Sequence, residues 1–265
     1  MKRLLLILGV TMASLIAASA AMAGPSGVNL AWTKCFGEGS PITNKNFACA
    51  SNAGTNLLVC SFTPANGSAT VNGNEVVIDI LTTSSTAADA ATGWWSMKNV
   101  GTCRPTSLSV NGSADAGNTV CLDEFAGQST TGIGAWSQTV PVTGWSIGAG
   151  DVANHWRLKI AVAVPGTALA AVDNTGEYFS VNVSVNNAKS TGVGSCAGCS
   201  DPVCIVLNSI NLTAGGGAND ELIGNALAAG SNIVTWQGGV GGGTASCAAV
   251  PTHNKTWGAI KSLYR

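Results

Sequence analysis

The chain reads as an all-β protein: an antiparallel β-sandwich, jelly-roll-like, with disulfide-tied loops and a short C-terminal helix. Three observations predict this. In residues 177–187, Phe179, Val181, Val183 and Val185 alternate with Ser180, Asn182, Ser184 and Asn186. A period of two with β-branched residues marks a strand with one buried and one wet face. Residues 203–213 keep apolar character at Ile205, Leu207, Ile210 and Leu212, with a phase slip near Asn208 and Ser209 that marks a bulge. The chain as a whole is a series of short apolar runs broken by Gly- and Asn-rich turns and punctuated by nine cysteines, the pattern of a sandwich.

The N-terminal 23 residues read as a cleaved signal peptide. Lys2 and Arg3 precede an apolar run over 4–18, and Ala21-Met22-Ala23 supplies the small-residue cleavage site. No second long apolar run exists, so the mature chain is expected not to span a membrane. It then starts near Gly24 and has 242 residues (265 − 23), a length that one β-sandwich domain over 24–265 accommodates. The same domain is expected to hold Gly-rich loops within 213–247 and a helical tail at 256–265.

Charged residues make up 9% of the chain, against about 25% in an ordinary soluble protein. The mature chain carries 10 basic residues (12 minus Lys2 and Arg3) and 13 acidic ones. No basic stripe exists, which excludes nucleic acid as the expected partner. A surface of Ser, Thr, Asn and Gly repels neighbouring copies weakly and makes self-association plausible.

The strands follow in order. Residues 28–32 form the first, 55–62 the second and 75–81 the third. Residues 108–111 read as a strand end, and 126–150 as a long stretch of weak pattern. Residues 156–164 form a strong strand, with Leu158, Ile160, Val162 and Val164 on one face. Residues 168–172 fit one helical turn. The pair 177–187 and 203–213 follows, and 233–237 is the last short strand. In the tail, Trp257, Ile260 and Tyr264 line one helical stripe behind Thr256 as N-cap.

Export to an oxidising space makes disulfides the default for the nine cysteines. Local loop closure predicts Cys35–Cys49 and Cys103–Cys121. Among the last four, Cys196–Cys199 and Cys204–Cys247 are favoured, with the three possible pairings left open by spacing alone. Cys60, inside the strand at 55–62, is left as the free, buried thiol.

Candidate sites are few. Trp94, Trp95, Trp136 and Trp145 lie outside the strongest strands, and flat exposed indoles stack on sugars, so they are the ligand-binding candidates. Packing in the core is the competing expectation, and the stronger one. Asp173, Asn174 and Glu177 are oxygen donors in one turn and the candidates for calcium, although an EF-hand's ladder of acids is missing. No other cofactor is expected, and no catalytic residue is assigned. His155 and His253 are the only histidines, and neither sits in a hydrolase motif.

Asn46-Phe-Ala-Cys49, Cys196-Ala-Gly-Cys-Ser-Asp-Pro-Val-Cys204, Thr235-Trp-Gln-Gly238 and the ending Thr256-Trp-Gly-Ala-Ile-Lys-Ser-Leu-Tyr-Arg265 resemble segments of a group of uncharacterised secreted bacterial proteins. The resemblance implies a secreted single unit and brings no activity with it. The strand pattern is also similar, at the level of architecture, to carbohydrate-binding jelly-roll modules. The expected role is therefore non-enzymatic: binding, or building a cell-surface or extracellular layer. Polysaccharide or cell-surface components are the expected partners, with the periplasm as an alternative location. A carbohydrate-binding module is the second reading and a secreted hydrolase the third.

Overall fold

The computed structural model describes residues 26–82, 93–97, 101–112, 142–149, 155–163, 170–174, 176–213 and 220–239. In chain order its strands are β1 (Gly27–Trp32), β2 (Asn44–Lys45), β3 (Thr55–Thr63), β4 (Ser68–Val71), β5 (Gly73–Thr82), β6 (Leu108–Asn111) and β7 (Val142–Ala149). They continue with β8 (His155–Ala163), β9 (Ala170–Val172), β10 (Tyr178–Asn186), β11 (Val203–Thr213), β12 (Glu221–Ile223) and β13 (Ile233–Trp236). One sheet runs β1-β3-β10-β6, and the other runs β2-β13-β11-β5-β8-β7, with β12 beside the far half of β11. Strands β4 and β9 form a small ribbon of their own. The pairings are antiparallel except for the short parallel contact of β2 with β13.

The alternation read from the sequence explains the two layers. Leu30, Trp32, Phe62, Val181 and Val183 from the smaller sheet and Val76, Ile78, Ile80, Ile205 and Leu207 from the larger one join a single core cluster. The phase slip in β11 is a bulge: the register with β5 shifts between Leu207 and Ser209. Without it, the inward set Ile210 and Leu212 would turn to the other face.

Several elements differ from the expectation or go beyond it. Strands β10 and β11, consecutive in the sequence, lie in opposite sheets. Residues 170–172 are not a helical turn; they pair with β4, whose ladder bonds outweigh the helix preference of an Ala-rich run. The weakly patterned stretch 126–150 contains β7. Its inward Trp145 and Ile147 are flanked by Gly144, Ser146 and Gly148, which weakened the alternation signal. The expected last strand is β13, and the span 213–247 also holds β12, a short strand that was not expected. The leader and the helical tail at 256–265 lie outside the described residues. Among the described residues no helix is long and apolar enough to cross a membrane.

The cysteine pairing also differs. The bonds are Cys49–Cys199 and Cys103–Cys196, spanning 150 and 93 residues. They replace the expected Cys35–Cys49, Cys103–Cys121 and Cys196–Cys199. The reason is topological: β2 pairs with β13, which brings the chain leading to Cys49 under the turn that carries Cys199. Cys35 instead packs with Val59 and Phe179, on the face of β3 opposite the core. Cys35 and Cys204 are each held in a disulfide too, and not with one another. Cys121 and Cys247 lie outside the described residues, and with them the expected Cys204–Cys247 bond. Cys60 is free and fully buried, and burial pushes its thiol far up, so it stays protonated and unreactive.

Candidate functional site

The tryptophans gather at one end of the sandwich. Trp94 stacks on Trp236 with ring centroids 5.1 Å apart, and Trp95 meets both rings edge-on. Phe47 and Trp32 close the remaining sides of Trp236. Trp94 Nε1 donates to Ser190 Oγ at 2.9 Å and Trp236 Nε1 to the Cys199 carbonyl at 2.7 Å. The two disulfides meet here, because Cys196 and Cys199 lie on one turn.

Arg104 completes this end. Its guanidinium lies over the Trp94 ring, 3.4 Å from the centroid. It donates to three main-chain carbonyls: Ala188 at 2.9 Å, Trp94 at 2.7 Å and Asn186. The side chain is buried, and burial pulls its pKa down to about 9, so it is still charged at neutral pH. Carbonyl dipoles and an indole face, not a carboxylate, offset its desolvation. It ties the 94–97 segment to the loop after β10.

These contacts correct the sugar-platform expectation. Trp94 and Trp95 are 0% exposed, so neither offers a face to a pyranose. Trp145 is half-buried and packs against the core. Trp136 lies outside the described residues.

A second cluster is buried on the other side of the larger sheet. Asp79 alternates with Ile78 and Ile80, which fill the core, so its carboxylate points to the opposite face. The register places Arg157 directly across from it on β8, with His155 two residues along. Arg157 donates Nε to Oδ1 at 2.7 Å and Nη2 to Oδ2 at 2.9 Å. His155 Nε2 lies 2.7 Å from Oδ1. Asn208, displaced by the bulge in β11, donates Nδ2 to Oδ2 at 2.5 Å. Burial alone would raise the Asp79 carboxyl; the bonds from His155 and Arg157 outweigh it and hold the pKa below the ordinary carboxylate range.

His155 next to an acid is the arrangement a Ser–His–Asp hydrolase uses, and its chemistry is testable on geometry. Among the described residues the imidazole's second nitrogen, Nδ1, has no hydrogen-bond partner, so none of their hydroxyls stands where a nucleophile would. Both Asp79 oxygens are engaged by Arg157, and Asp79 and His155 are 0% and 1% exposed. The arrangement neutralises charge across three strands. His253 lies outside the described residues.

The proposed calcium turn is occupied by its own hydrogen bonds. The Tyr178 hydroxyl donates to Asp173 Oδ1 and accepts from the Asp173 N–H, both at 3.0 Å. Glu177 points away from them: Oε1 accepts from Asn29 at 2.8 Å and Ser61 at 2.5 Å, and Oε2 from the Gly37 N–H at 2.6 Å. A Cβ at Gly37 would lie 2.1 Å from that oxygen, so a side chain there would displace the carboxylate from the loop. Glu177 thus latches the loop after β1 to β1 and β3. Asn174 stays in the turn, half-buried. Among the described residues no group of three His, Cys, Asp or Glu side chains is placed to hold a metal ion.

The Asp79 network was not read from the sequence. Its signals were an acid between two isoleucines, and His155 and Arg157 on one face of a strand; only the register joins them.

No family model and no curated protein matches the chain. Among solved structures, the chain is similar to a cohesin module from a family 33 glycoside hydrolase of Clostridium perfringens, at 7% identity and a TM-score of 0.28. That match covers 79% of this chain and 93% of that one. It is also similar to the second type II cohesin module of the ScaA scaffoldin of Acetivibrio cellulolyticus, at 10% identity and a TM-score of 0.29, covering 73% and 87%. Likenesses this loose carry no weight for function.

Proposed function

We propose that the protein is an exported, disulfide-stapled β-sandwich with a non-catalytic role: it binds, or forms part of, a cell-surface or extracellular layer. The observation that supports this best is the pair of long-range disulfides at the aromatic end. Bonds of that kind form and persist in an oxidising compartment. They add stability suited to a protein that cannot be refolded by cytoplasmic chaperones. The buried polar groups support the same reading, because Asp79, His155, Glu177 and Arg104 hold the fold together. Polysaccharide or other cell-surface components are the partners this role implies.

The test expresses the full chain with its leader in a bacterial host and fractionates the cells. The expected result is an oxidised protein starting near Gly24, outside the cytoplasm, that sediments with envelope material or insoluble polysaccharide. Reduced protein retained in the cytoplasm would overturn the export half. Turnover of ester, peptide or glycoside substrates by the purified oxidised protein would overturn the non-catalytic half.

A further inference from the structure

We propose that the edge of β7 left unpaired among the described residues is a self-association surface, on which a second copy of this chain pairs its own β7 in antiparallel fashion and extends the larger sheet across a twofold axis. The inference deepens the layer-building reading above and concerns a surface that reading does not name.

The edges of the two sheets are not equivalent. The outer edge of β1 is closed by main-chain bonds: Val28 N–H donates to Asn225, Leu30 N–H to Ser231 and Trp32 N–H to Ile42. Strand β2 is two residues long and β6 is four. Strand β7 has eight residues and pairs on one side only, with β8. Among the described residues no main-chain bond reaches its other side. Native edges are ordinarily protected by charge, proline, a bulge or a cover. The β7 sequence Val-Thr-Gly-Trp-Ser-Ile-Gly-Ala contains no charge and no proline, and its register with β8 is unbroken from Val142 to Ala149.

The glycines are a second, independent feature. Gly144 and Gly148 are in ordinary strand conformation, and a Cβ built on either meets no atom within 4 Å. The fold of one copy therefore does not require glycine at either position, although glycine inside a strand costs about 0.5–1 kcal/mol relative to alanine. Glycine in a strand is used where another backbone approaches closely. The outward face of β7 itself carries only Val142 and Ser146 as exposed side chains; beside them on β8 stand exposed Lys159, opposite Ser146, and exposed Ala161 and Ala163.

The same features choose the occupant. A domain that reads a foreign peptide by strand addition takes affinity from the main chain and specificity from side-chain pockets. Two glycines and a serine make no pocket. Strand β7 has no charge of its own, so its edge fits another uncharged edge; Lys159 stands one strand further in, on β8, and 9% charge over the whole chain leaves copies little mutual repulsion. Twofold pairing centred on Ser146 sets Gly144 against Gly148 of the second copy, so the backbones meet without side-chain obstruction.

The experiment uses the oxidised mature chain. Sedimentation velocity over a dilution series should show a reversible dimer. Hydrogen exchange should show amides of 142–149 gaining protection as concentration rises. Ser146→Lys and, separately, Gly144→Lys should abolish the dimer while leaving the melting temperature close to wild type, because both positions face solvent in one copy. Leu222→Lys, at an exposed position on β12, should leave the dimer intact. A wild-type chain that stays monomeric throughout the series overturns the proposal, as does a dimer that survives both lysine variants. If the protein is exported and stapled yet monomeric, this inference fails alone; if it is found reduced in the cytoplasm, the functional reading fails first.

Discussion

Arg104 and Arg157 are both largely withdrawn from water, and the molecule solves the two burials differently. Arg104 sits at the stapled aromatic end, where three carbonyls and the face of Trp94 surround it. Arg157 sits on the far face of the larger sheet, where the Asp79 carboxylate takes it in a two-point grip and His155 and Asn208 share the same acid. The first solution needs the main chain to converge, so it depends on the loops being held. The second needs only three adjacent strands in register. The first should therefore be sensitive to disulfides and indifferent to acid, and the second the reverse.

The largest effect should come from cutting the staple. Replacing Cys49 and Cys199 together by serine frees a loop of 150 residues, and chain entropy alone puts the loss at about 3–5 kcal/mol. Denaturant titration should show that loss, accompanied by a red shift of Trp emission as Trp94 and Trp236 lose their packing. A loss of that size with unchanged emission would separate the staple from the aromatic end and remove half of the contrast.

Arg104→Leu should cost about 3 kcal/mol, because three carbonyls lose their donor in a buried place. Arg104→Lys should recover only part, since an ammonium cannot present the planar fork that reaches all three. The deficit should be the same at pH 5 and pH 7. A deficit that disappears between those values would mean that an acid outside the described residues holds this cation too.

The smallest effect concerns Asp79 and is a matter of pH. Its pKa in the folded protein lies below the ordinary value. The carboxylate is thus favoured by folding, so its contribution is complete above the unfolded pKa of about 4 and is lost as pH falls through the folded value. Asp79→Asn should be about 2 kcal/mol less stable than wild type at pH 7, the worth of charge-assisted hydrogen bonds. The gap should hold to pH 5 and narrow below about pH 4. Urea midpoints for both proteins from pH 7 to pH 3 measure it. Parallel curves over the whole range would show that Asp79 does not act through its charge.

The strands show how far local pattern reaches. The alternation at Phe179, Val181, Val183 and Val185 and the slip at Asn208 are properties of adjacent residues, and both β10 and the bulge in β11 were legible from them. Cys60 was legible for the same reason, as a small apolar thiol inside a strand. Strand β7 was not, because Gly144 and Gly148 carry no side chain to keep the alternation. The two-residue strand β2 leaves no pattern at all.

What the order of amino acids determined unaided is the class: a stapled β-sandwich with sparse charge, since burial of every second residue and the chemistry of thiols depend on composition and spacing. Partnership needed the folded chain. Cys49 finds Cys199 because a short parallel contact of β2 with β13 brings them together across 150 residues. Asp79 finds Arg157 because one register of β5 on β8 sets them face to face. Trp94 and Trp95 turned from candidate ligand platforms into core because the 93–97 segment folds under the turn at 196–199. Contacts between residues far apart in the chain are set by sheet order and register, and no window of neighbouring residues contains either.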